Sequence, residues 1–165
     1  DRTLSDLDKE LYISATEIKN GKLKIFRKST KIVDAVLASS AFPGVFSPVE
    51  INGKVYSDGG ILNNYPVNTI QGRCDFLIGS NVNPVLTYKD TSRLKSIKSV
   101  ALRAFEIMMM QNSAPQKELC DWHIQPEALA PYSTFETSKT RMEEIFIIGY
   151  EAAKTSFEKI KHKLE

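Results

Sequence analysis

The sequence predicts an α/β fold, and three observations carry that prediction. Two Asn-Gly pairs each sit between short alternating segments, the pattern of β-hairpins. DFLIGSNV, residues 75–82, is a near-continuous apolar run, as expected of a strand covered on both faces. Segments of helical period lie between and after these strands, and strands interleaved with helices define the class. With 165 residues the chain forms about one domain, long enough to bury a single sizeable core.

The elements follow in order. LYISATEI (residues 11–18) and KLKIFR (22–27) alternate as strands, the second with Leu23 and Ile25 on one face, and Asn20-Gly21 predicts a tight hairpin between them. Ser29 or Thr30 can cap the helix KIVDAVLAS (31–39), whose period runs through Ile32, Val36 and Leu37. That helix stops before Pro43, because a residue preceding proline avoids the helical region. PVEI and KVYS flank Asn52-Gly53 as a second hairpin leading to Asp58. Pro66 suits the first turn of a short helix that Gly72 can end.

Beyond the apolar run, LKSIKSVALRAFEIMMM (94–110) places Leu94, Ile97, Ala101, Ala104 and Met108 on one helical face. WHIQP reads as a short last strand. From Ser138 onward, Met142, Ile145, Gly149, Ala152 and Ile160 mark one face of a closing helix. Met108, Met109 and Met110 are read as core-filling residues, although methionines also suit an adaptable lipid-binding surface.

Composition narrows the function classes. Apolar and charged fractions of 42% and 25% are ordinary for a globular chain, and a net charge of +2 does not support a nucleic-acid footprint. KNGKLKIFRKSTK (19–31) concentrates cations. It reads as a solvated hairpin face, with contact to an anionic lipid surface as the alternative. Cys74 and Cys120 lie too far apart for a CxxC motif. Cys120, Asp121 and His123 lack the spacing and the further histidines of a metal site, so no metal and no organic cofactor is expected. His123, beside the lone tryptophan, reads as structural.

One stretch carries chemistry. ASSAFPGVFSPVE is followed at once by VYSDGGILNNYPV (55–67), which sets Asp58, two glycines, two asparagines and a proline close together. Asp-Gly-Gly by itself reads as a turn. The whole block, in its fixed order, resembles the second signature of the patatin-like phospholipases. ISATEIKNGKLKIF resembles the strand pair before it, and WHIQPEALAPYSTFETSKTRMEEIFIIGYEAA resembles the closing segment of bacterial members. The resemblance implies that residues 1–165 are the C-terminal part of a single patatin-like domain with a three-layer α/β/α fold.

It also implies an activity: hydrolysis of acyl esters of phospholipids or related lipids by a serine-aspartate dyad, and so a role in lipid degradation. Asp58 occupies the position of the general base. Gly59, Gly60, Asn63 and Asn64 support its loop, the glycines through positive φ or close backbone approach, the asparagines through side-chain bonds to backbone. Tyr56 and Ile61 flank Asp58 as apolar cover. Phe42, Pro43, Val45 and Phe46 form an apolar loop for which ordinary packing and contact with an acyl chain are both open.

The nucleophile is missing from these residues. No two glycines are four apart, so there is no Gly-x-Ser-x-Gly, nor any glycine-rich oxyanion loop. Ser39 and Ser40 lie at a helix end and are not nucleophile candidates. The expectation is that the N-terminal half of the domain lies upstream of Asp1 and that the isolated chain is inactive. The rival reading is a non-catalytic lipid-binding or protein-interaction module with the same fold. A cytoplasmic or peripheral-membrane location is expected, any targeting signal lying upstream.

Overall fold

The computed structural model describes residues 2–82 and 94–163. Its strands and helices interleave, so the α/β class stands. Strands β1 (Ile13–Glu17), β2 (Lys22–Phe26), β3 (Val49–Ile51) and β4 (Lys54–Asp58) form one antiparallel sheet in the order β2-β1-β4-β3. Strands β5 (Ile78–Ser80) and β6 (Trp122–Ile124) form a second, parallel pair.

The two hairpins close differently. In the β3–β4 hairpin, Ile51 faces Lys54, which leaves Asn52-Gly53 as a two-residue loop. Both loop residues have positive φ (52° and 72°), the geometry that matches the twist of the flanking strands. The β1–β2 turn is wider than expected: Glu17 faces Lys22, so the loop has four residues and only Gly21 is left-handed. Asn20 spends its side chain on the Glu17 carboxylate, which also accepts from Lys54 Nζ at 3.1 Å. That lysine, then Asn20, holds the Glu17 carboxyl below its ordinary range.

Alternation decides the core. Ala15, Phe26 and Tyr56 share one face of the sheet and pack with Leu4 against Ala35 and Ala38 of α1 (Ile32–Ser39). Phe26 and Tyr56 meet edge to face at 5.3 Å. Leu23 lies on the opposite face and is exposed. The α1 helix begins without a side-chain cap: its N-cap is Lys31, while the Thr30 hydroxyl donates to the Arg27 carbonyl instead. It ends as expected before Pro43, with Ser40 Oγ donating to the Val36 carbonyl.

After β4 come α2 (Gly60–Asn63) and a 3-10 turn at Val67–Thr69, shorter than the expected helix. Gly72 has φ 71°, as a chain-reversing glycine should. Parallel strands need a long crossover, and α3 (Ile97–Ser113) lies within the one from β5 to β6. β5 is shorter than its apolar run suggests and is covered incompletely: Leu77 is buried, but Ile78 is 51% exposed. Among the described residues it pairs only with β6.

The buried stripe of α3 differs from the expected one. Ile97 and Met108 are exposed, whereas Met109 and Ser113 are buried, because this face packs on the α2 turn. The closing helix α4 (Lys139–Ile160) leans on β6, where Trp122 Nε1 donates to Ser156 Oγ at 3.1 Å. Ile145, Gly149, Ala152 and Ile160 are half-buried along that helix, as their spacing predicts, while Met142 stays exposed.

Candidate active site

Asp58 is the last residue of β4, opposite Ala15 of β1. Its N–H donates to the Ala41 carbonyl at 3.1 Å, which ties the strand end to the chain leaving α1. Its own carbonyl accepts from Thr16 Oγ1 at 3.0 Å. The backbone beneath the carboxylate is thus held from both sides.

The carboxylate is half-buried and accepts the Gly60 N–H at 2.7 Å. Burial pushes its carboxyl above the ordinary carboxylate range, and the Gly60 N–H pulls it partway back. A raised value makes the carboxylate a better proton acceptor near neutral pH than a solvated one. Asp58 opens onto a cavity of about 430 Å³, mostly apolar, with Phe42, Met109, Met110 and Leu129 among its walls.

The supporting residues work by other means than expected. Neither Gly59 nor Gly60 is left-handed; Gly59 has φ −65°. Their missing side chains serve close approach instead. A Cβ on Gly59 would stand 2.7 Å from the Ser14 carbonyl oxygen, and one on Gly60 would run into the Met109 methyl. Asn63 and Asn64 bond to side chains, not to backbone: Asn63 Nδ2 donates to Asn68 Oδ1 at 2.9 Å, and Asn64 Nδ2 to Ser113 Oγ at 3.3 Å. Asn64 has an ordinary right-handed backbone, with φ −75°.

Of the apolar loop, Phe42 alone lines the cavity. It packs edge to face on Phe105 at 5.2 Å and Phe135 at 5.4 Å. Phe46 stands on the outer side of Phe135, more than half exposed, and Pro43 and Val45 lie off the cavity wall. The cover expected of Tyr56 and Ile61 comes from elsewhere: Tyr56 belongs to the core beneath α1.

Met109 is buried, as the core reading expects, and together with Met110 it also walls the cavity. A signal existed, since a methionine run on a helix suits an irregular apolar wall. Which methionines face the cavity could not be read, because the stripe depends on what the helix packs against.

Other hydroxyls approach the cavity without engaging Asp58. Ser133 and Thr134 line it, but Ser133 Oγ accepts the Phe135 N–H. Among the described residues, no side-chain hydroxyl hydrogen-bonds to the Asp58 carboxylate. The Cys120, Asp121 and His123 group has structural duties. Asp121 Oδ2 accepts the Leu77 N–H at 2.8 Å, and Tyr65 Oη lies 2.8 Å from His123 Nδ1 and 3.5 Å from Cys120 Sγ.

Residues 6–70 match the family model of the patatin-like phospholipases. That stretch holds the four-stranded sheet, α1, Asp58 and the α2 turn. The chain is 35% identical over 81 residues to an uncharacterized protein of Acanthamoeba polyphaga mimivirus, covering 47% of this chain and 27% of that protein. It is 37% identical over 70 residues to uncharacterized NTE family proteins of Mycobacterium tuberculosis and Mycobacterium bovis, covering 42% of this chain and 19% of each relative. Over residues 6–70 the chain is thus similar to the patatin-like phospholipases. It spans about a quarter or less of the length of these relatives.

Proposed function

We propose that this chain supplies the base half of a serine-aspartate acyl hydrolase acting on phospholipids or related acyl lipids. The observation that carries the reading is Asp58: a half-buried carboxylate, with its carboxyl raised by burial, opening onto an apolar cavity. In the full-length protein a serine presented to that cavity transfers its proton to Asp58 as its oxygen attacks the ester carbonyl. The tetrahedral intermediate expels the alcohol, which takes up the proton. Water, deprotonated in turn by Asp58, then releases the acid from the acyl-serine. The cavity, walled by Phe42, Leu129 and the two methionines, suits an acyl chain.

The test is Asp58→Asn in the full-length protein, followed by release of fatty acid from phospholipid vesicles. The expected loss is at least about a hundredfold, the scale of a positioned general base, with the circular dichroism spectrum unchanged. Retained activity would remove Asp58 from the mechanism. The isolated chain should not turn over a short-chain ester. The alternative, a lipid-binding or protein-interaction module of the same fold, rests on the same apolar cavity. It predicts that the full-length protein retains a fluorescent fatty acid without hydrolysing any ester.

A further inference from the structure

Three groups converge on the space that a Gly60 side chain would fill. A Cβ there would contact Met109 Cε, lie 2.8 Å from Asn64 Oδ1 and lie 3.0 Å from Asp58 Oδ1. The methionine methyl is thus packed into the turn whose N–H holds the carboxylate. We infer that Met109 is a positioning residue for Asp58: its methyl closes one side of the carboxylate to water and clamps the Gly59-Gly60 turn against α3.

The rest of α3 is arranged to keep that methyl in place. Met109 is 8% exposed. One turn later, Ser113 Oγ donates to the Met109 carbonyl at 3.0 Å and accepts from Asn64 Nδ2. Asn112 Nδ2 donates to the Ile61 carbonyl at 3.1 Å, so α3 grips the α2 turn at both ends. A flexible apolar thioether adapts to such an irregular gap, and an apolar side chain of similar volume can still exclude water there.

Water exclusion, more than charge, governs Asp58. The other carboxylates on the cavity wall are Glu106 of α3 and Glu136, which precedes α4. Glu106 pairs with Arg103 at 3.2 Å and Glu136 with Arg141 at 2.7 Å. Tyr132 also lines the cavity, and its hydroxyl is bonded to Glu144. From β1 the residue opposite Asp58 is the uncharged Ala15. Burial is the first cause of the raised Asp58 carboxyl, and neither glutamate is among the causes.

The inference rests on Asp58 as the base but is tested without activity. The Asp58 carboxyl of this chain is titrated by carbon-13 NMR in the unchanged protein and in Met109→Leu, Met109→Ala and Met109→Gln. The leucine variant should keep the raised midpoint. The alanine and glutamine variants, which admit water or a polar group, should bring it down toward the ordinary value of about 4. An unshifted midpoint in the folded glutamine variant would overturn the inference. So would failure of the leucine variant to fold, which would make Met109 a packing residue alone. In the full-length protein, the acid limb of kcat/KM should move with the NMR midpoint. An NMR shift without a kinetic shift would uphold the role of Met109 and overturn Asp58 as the base.

Discussion

Gly59 and Gly60 look in the sequence like turn glycines, and the structure gives them a different purpose. Their φ angles are open to any residue, so what matters is the volume they leave empty for β1 on one side and α3 on the other. A methyl at Gly59 meets backbone of β1, which cannot swing aside. Gly59→Ala should therefore destabilise the chain by about 2 kcal/mol, the scale of a small overpacking, read as a lower midpoint in urea unfolding. Gly60→Ala presses chiefly on a flexible methionine and should be milder. Through the resemblance of its whole block, Asp58 itself was legible, since strand, turn and carboxylate are contiguous. The identity of its cover was not, because Met109 lies 51 positions away in the sequence.

At the scale of elements, local chemistry and tertiary contact divide cleanly. Asn52-Gly53 sets the β3–β4 hairpin by itself, and its two-residue register brings Asp58 to the strand end. The α3 stripe could not be read in the same way. Its residues are apolar on several sides, and packing on the α2 turn selects Met109 and Ser113 over Ile97 and Met108. The β5–β6 pair is joined to the Asp58 block through Tyr65, buried within the turn region and bonded to His123. Burial first, then the neighbouring Cys120, pushes the Tyr65 phenol up, so it remains a neutral hydroxyl. Tyr65→Phe should lower stability by about 1 kcal/mol, the usual worth of one such bond, in thermal or urea unfolding. It should leave the Asp58 titration in place, since the bond lies on the far side of the turn sequence.

The whole molecule leaves much apolar surface uncovered. Val33, Val36 and Leu37 form an exposed stripe on α1, β5 offers Ile78 and, among the described residues, an edge paired on one side only, and Phe146 of α4 is 71% exposed. Such surface and such an edge favour association. Sedimentation of the isolated chain should show a weight-average mass that rises with concentration above the 18.5 kDa of one copy. Replacing Val36 and Leu37 together with lysine should reduce that rise, and an unchanged profile would exclude the α1 stripe as the contact.

Some of this protein was settled by sequence alone. Turn residues and alternation act over a few positions, so the hairpins, α1, the order of strands and helices, and the place of Asp58 follow from neighbours along the chain. The fixed order of that block also carries the resemblance to the patatin-like phospholipases. Other features were decided only when distant segments met: why the two glycines must be small, which methionines wall the cavity, and which face of α3 is buried. Water exclusion and close packing depend on atoms brought together in space, and no local pattern encodes which side chain will arrive.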